Sequence, residues 1–91
     1  MSSILMNRTR SRIIRFLLRN GASTCSEIGS ALGLSSQAIR RQVVMLHCAG
    51  LVERMSVARF SARPDQVLGE IETIAISFAG EFMPDSAIRM N

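Results

Sequence analysis

The stretch that most constrains this chain is STCSEIGSALGLSSQAIRRQVVMLHCAGLVE, from Ser23 to Glu53. It carries two helix starts and two helix stops in close succession. Thr24 and Glu27 form a T-x-x-E capping box, in which side chain and backbone satisfy each other's free N–H groups. Gly33 follows as a stop. Ser35 is a good N-cap for the next segment, SSQAIRRQVVMLHCA, and Gly50 falls at its C′ position. In the first segment, Ile28, Ala31 and Leu32 are expected to form the buried stripe. In the second, Ile39, Val43 and Leu46 fall within a narrow arc and are expected to face the core. Gly29 lies inside the first segment at a cost of about 1 kcal/mol against Ala. Close approach of a neighbouring helix is the expected reason.

A short helix, a glycine turn and a second capped helix make the helix-turn-helix arrangement. The flanks complete a small domain. Upstream, NRTRSRIIRFLLRN (residues 7–20) places Ile13, Ile14, Leu17 and Leu18 on one side at helical spacing, and Gly21 ends it. Downstream of Gly50 the period shortens. LVERMSVARFSAR predicts two short strands near 51–56 and 58–62, joined by a tight turn at Ser56–Ala58. That turn has no Gly, Asn or Asp to take positive φ, so a single extended segment is the alternative. Pro64 suits the first position of a last helix, and Asp65 complements its dipole. Val67, Leu68, Ile71, Ile74, Ala75, Phe78 and Phe82 give that helix a wide apolar face.

The predicted fold is therefore mostly α with a small β-wing: a winged helix-turn-helix with a three-helix core, a two-stranded hairpin and a C-terminal helix. Its organisation is an N-terminal extension (1–6), the winged domain (7–63), a helix suited to dimerisation (64–82) and a tail (83–91). With 91 residues, one domain is expected, and a chain this short gains from burying surface against a second copy.

The run SEIGSALGLSSQAIRRQVVMLHCAGLVE resembles the ArsR-like winged helix-turn-helix repressors. Glu27-Ile28, Leu32-Gly33-Leu34-Ser35 and Ala49-Gly50-Leu51-Val52 stand in the places of that family's motif without a gap. The resemblance extends over about residues 7–62 and is strongest over 26–52. It implies a homodimer that binds palindromic double-stranded DNA and represses transcription. The chain departs from the pattern in three places. Its wing is short and lacks a tip glycine. The second helix has no Cys-x-Cys metal pattern, only Cys25 at its start. Arg40 stands where the family usually has Ser.

Charge supports a polyanionic partner. The net charge is +4, and all eleven basic residues are Arg, which gives planar, bidentate contacts to phosphates and guanine edges. A GC-rich genome would also favour Arg over Lys. Recognition helices present their N-terminal residues to base edges. The expected DNA contacts are Ser35, Ser36, Gln37, Arg40 and Arg41, with Arg54 and Arg59 from the wing. Gln pairs with adenine and Arg with guanine. The plainer reading is a solvated polar face, and for Arg54 and Arg59 strand-edge charges that discourage edge pairing. Arg8, Arg10, Arg12, Arg15 and Arg19 are read mostly as solubilising charges on the first helix. Dimerisation is expected through Leu5, Val67, Leu68, Ile71, Ile74, Ala75, Phe78 and Phe82, the alternative being a helix packed only within its own protomer.

Other classes find less support. One His and no phosphate loop, nucleophile elbow or carboxylate pair argue against an enzyme. No cofactor is expected. His47, Cys48 and Cys25 fall short of the four ligands of a closed zinc site, so no metal is expected either. Two cysteines without CxxC spacing, no signal-peptide pattern and no spanning apolar run point to a cytoplasmic protein with no membrane partner. Val44, Met45 and Cys48 follow the polar turns of the second motif helix. They are expected to pack beneath the C-terminal helix or a partner. This keeps open a protein-interaction module, or a small architectural or recombination factor of phage or plasmid, on the same fold.

Overall fold

Local caps set the bounds of the helices. In the computed structural model, which describes residues 3–82 and side chains through Ala75, Asn7 accepts a hydrogen bond from the Arg10 N–H and opens α1, Arg8–Asn20. Thr24 opens α2, Cys25–Leu32, through a complete capping box: its hydroxyl accepts from Glu27 N, and the Glu27 carboxylate accepts from Thr24 N. Ser35 caps α3, Ser36–Cys48, by accepting from Ala38 N. Gly33 ends α2 in the left-handed conformation, and Gly50 follows α3 at φ 83°. Pro64 begins α4, Pro64–Phe82. A short 3-10 turn, Ile4–Met6, precedes α1 and is capped by Ser3. The expected tail, 83–91, lies outside the described residues.

The wing is a hairpin, β2 (Val52–Arg54) and β3 (Arg59–Ala62), with Val52 opposite Ala62 and Arg54 opposite Phe60. A third strand was not expected. Ser23–Thr24, just before α2, forms β1 and pairs antiparallel with β3, so the order is β1-β3-β2. The connection is wider than a tight turn at Ser56–Ala58, since the strands stop at Arg54 and resume at Arg59. It needs no left-handed residue, and among the described residues only glycines have positive φ. Instead Arg54 stitches it from the side: Nε donates to Ser56 O at 3.3 Å and Nη2 to Val57 O at 2.8 Å.

Ile13, Ile14 and Leu17 of α1, Ile28 of α2, Ile39, Val43 and Leu46 of α3, Leu51 and Val52 at the wing and Val67 of α4 form one buried cluster. Residues expected inside that lie outside are Leu18, which is exposed, and Ala31, which is also exposed. The inward face of α2 is Cys25, Ile28 and Gly29, with Leu32 half-buried, spacing i, i+3, i+4, i+7. Gly29 is therefore a face residue, and what it meets is a turn rather than a helix flank. A Cβ there would stand 2.5 Å from Leu34 O and 3.5 Å from Ser36 N. The missing side chain lets the turn fold flat under α2 and start α3 at once.

Candidate nucleic-acid interface

Three elements converge on one side of the molecule: the start of α2, the first turns of α3 and the wing. Between them lies a groove of about 480 Å³, lined among others by Thr24, Ser26, Ser36, Arg40, Arg54 and Phe60. Its lining is hydroxyl and guanidinium over an apolar floor. The starts of α2 and α3 both open near it, so their unpaired N–H groups and dipoles add positive potential to the arginines.

The expected DNA contacts separate into three groups. Ser36, Gln37, Arg40 and Arg41 are exposed, and no hydrogen bond ties these side chains to the protein among the described residues. Ser36 and Arg40 face the groove, while Gln37 and Arg41 follow on the outward face of α3. Ser35 is already engaged as the α3 cap. Its hydroxyl holds the helix rather than reaching out. The two wing arginines are also engaged. Arg54 holds the wing connection. Arg59 Nη1 donates to Ala22 O at 3.3 Å and to Glu27 Oε1 at 3.0 Å, which binds β3 to the start of α2. Both side chains keep exposed surface, and Arg54 lines the groove. Thr24, read from the sequence only as a helix cap, and Ser26 were not expected at this groove. They reach the groove because β1 pairs with β3, a contact no local signal announces.

Glu27 sits where the fold favours its charged form. The Thr24 backbone N–H, first, and the Arg59 charge and hydrogen bond hold its carboxyl below the usual glutamate range. The ionised carboxylate therefore clips wing to helix. The α1 arginines also find protein acceptors: Arg12 donates to Leu32 O at the end of α2, and Arg15 to Ser11 Oγ.

The residues expected at a dimer contact divide as well. Val67 is 3% exposed and belongs to the protomer's own core. Leu5 is half-buried against that core. Leu68 and Ile71 are 59% and 48% exposed, Ala75 is exposed and Ile74 half-buried. The side chains of Phe78 and Phe82 lie outside the described residues. Val44 and Met45, expected beneath α4 or a partner, are 53% and 46% exposed, so α4 does not cover them. Cys25 is buried and Cys48 exposed, both as free thiols. No helix among the described residues is long and apolar enough to cross a membrane.

Three helices with a tight α2–α3 turn, a short antiparallel wing and a following helix define a winged helix-turn-helix domain. The family described as "Helix-turn-helix domain" matches residues 5–54, and the chain belongs to that family. Its fold is that of the ArsR-like winged proteins its motif resembles. A crystal structure of a possible transcriptional regulator for arsenical resistance is similar, with a TM-score of 0.70 at 23% identity, covering 96% of this chain and 88% of that one. The crystal structure of the AntR antimony-specific transcriptional repressor gives a TM-score of 0.64 at 21% identity, covering 86% and 74%. No curated protein matches the sequence significantly. The chain thus carries a helix-turn-helix domain whose fold is shared by both of these structures.

Proposed function

We propose that the protein is a homodimeric, sequence-specific repressor that reads double-stranded DNA with the first two turns of α3. The observation that carries this reading is the set Ser36, Gln37, Arg40 and Arg41: exposed, without protein partners among the described residues, and set beside a groove rimmed by Thr24, Ser26 and Arg54. Gln37, Arg40 and Arg41 supply base-edge contacts. Thr24, Ser26 and the wing rim supply phosphate contacts, which position the helix without reading sequence. The exposed seam Leu68, Ile71 and Ala75 supports self-pairing through α4. In the sequence Phe78 and Phe82 continue its 3-4 spacing. Two-fold pairing would set two α3 helices about 34–36 Å apart, one turn of duplex.

The test is Arg40→Ala and Arg41→Ala in a mobility-shift titration on a preferred duplex. Loss of one bidentate base contact costs about 1–3 kcal/mol and relaxes preference at that base. Unchanged affinity and preference in both variants would overturn the assignment of α3 as the reading helix.

A second reading rests on Val44 and Met45, large apolar side chains left exposed on α3. A protein-interaction module on this fold would use that patch. It predicts no retardation of random duplexes at micromolar protein in moderate salt, where the DNA-binding reading predicts retardation.

A further inference from the structure

Arg10 is not a solubilising charge on α1. Its Nε donates to Ile4 O at 2.6 Å, and its Nη1 donates to Gln42 Oε1 at 2.9 Å and lies 3.6 Å from Met45 Sδ. Gln42 and Met45 sit on α3, one turn apart, just beyond the residues that face the DNA. Ile4 begins the N-terminal 3-10 turn, whose cap, Ser3, also hydrogen-bonds the Glu70 carboxylate of α4. One guanidinium therefore joins α3 to the N-terminal turn, and one hydroxyl joins that turn to α4. No other side-chain hydrogen bond among the described residues connects α3 to either element. The chemistry suits Arg. Its planar fork aims several donors at once, stays charged at any working pH, and makes charge-assisted bonds stronger than neutral ones.

We propose that Arg10 is a positioning residue for the reading helix: it fixes α3 in rotation and along its axis against the N-terminal turn, and so passes displacements at the α4 surface to the DNA-facing end. This rests on the DNA-binding reading above for its functional consequence, but not for its structural one. Helix α3 packs on α1 and α2 through the apolar residues Ile39, Val43 and Leu46, whose contacts are non-directional. Arg10 supplies directional bonds to the flank of α3 that those residues leave unguided. Its three acceptors lie on two different elements, so a change in one alters the bond to the other.

The experiment uses the full chain in four forms: unaltered, Ser3→Ala, Arg10→Ala, and the double variant. In DNA-free protein, the Met45 methyl and Gln42 side-chain amide resonances are followed by NMR. Ser3→Ala is expected to shift both signals when Arg10 is present and neither when it is replaced. Signals unmoved by Ser3→Ala, or moved equally in both backgrounds, would overturn the coupling. Affinity is then titrated on a preferred and an unrelated duplex across salt concentrations. Arg10→Ala is expected to lose about tenfold on the preferred duplex, with non-specific affinity and salt slope unchanged. An equal loss on both duplexes with the slope reduced by about one would mean a direct phosphate contact and would overturn the positioning role. If Arg10→Ala does not fold, Arg10→Lys keeps the charge without the fork and is expected to show the same loss of preference. Full retention of preference by Arg10→Lys would contradict the proposal. If the unaltered chain retards no duplex, the repressor reading fails, while the NMR comparison still decides the role of Arg10.

Discussion

Gly29→Ala sets two effects of opposite sign against each other. Helix propensity favours Ala over Gly by about 1 kcal/mol, so on an open helix face the substitution would stabilise. Here the new Cβ would stand 2.5 Å from Leu34 O, well inside carbon–oxygen contact. The obstacle is backbone, and the Leu34 carbonyl leads directly into the Ser35 cap, so moving it displaces the start of α3. Overpacking of this kind costs about 1–3 kcal/mol, and the stiffness of the turn puts it in the upper half. The net expectation is a loss of about 1–2 kcal/mol. For a domain of this size that lowers Tm by roughly 5–15 °C. Ser30→Ala, at an exposed neighbouring position of α2, is the control and should leave Tm level or slightly higher. Because the displaced atoms are the last before the α3 cap, DNA affinity should fall with stability in Gly29→Ala and not in Ser30→Ala. Thermal unfolding by circular dichroism reads the first effect and anisotropy titration the second. A Gly29→Ala protein as stable as the unaltered chain would refute the close-approach argument.

Two further outcomes follow from the geometry. Glu27 has a lowered folded-state pKa, so its contribution to stability is present above the usual glutamate range and is lost as pH falls through the lowered value. Glu27→Gln should thus be less stable than the unaltered chain near neutral pH, with the gap closing in acid; the gap is small because both partners are about half exposed and screened. A gap that persists or widens in acid would contradict this. Ile71→Glu places a charge in the exposed α4 seam and should shift sedimentation from dimer to monomer without lowering helix content. Unchanged self-association would remove α4 as the pairing surface.

The helices were legible because their ends are local chemistry. Thr24 with Glu27, Ser35, Gly33, Gly50 and Pro64 each act within one turn of themselves, and each stands where the sequence placed it. Periodicity identified the α3 core face for the same reason. What escaped depends on partners distant in the chain. Ser23–Thr24 is a strand only because β3 lies beside it, and two residues carry no period. Gly29 announced a close approach, yet the neighbour is a turn carbonyl that local pattern does not place. Arginine roles were the least legible. Arg10, Arg12, Arg54 and Arg59 look alike in sequence, and a long flexible side chain takes whichever acceptors the fold brings within reach. In this chain those are Ile4 O and Gln42, Leu32 O, the wing carbonyls, and Ala22 O with Glu27.

Selection of bound fragments from randomised duplex DNA by the unaltered full chain decides whether a pair of α3 helices reads two half-sites. The expected outcome is enrichment of an inverted repeat whose half-sites are about 10–10.5 base pairs apart, centre to centre, with affinity that falls steeply as salt rises. Recovery of unenriched sequence, or of no DNA at all, would contradict it.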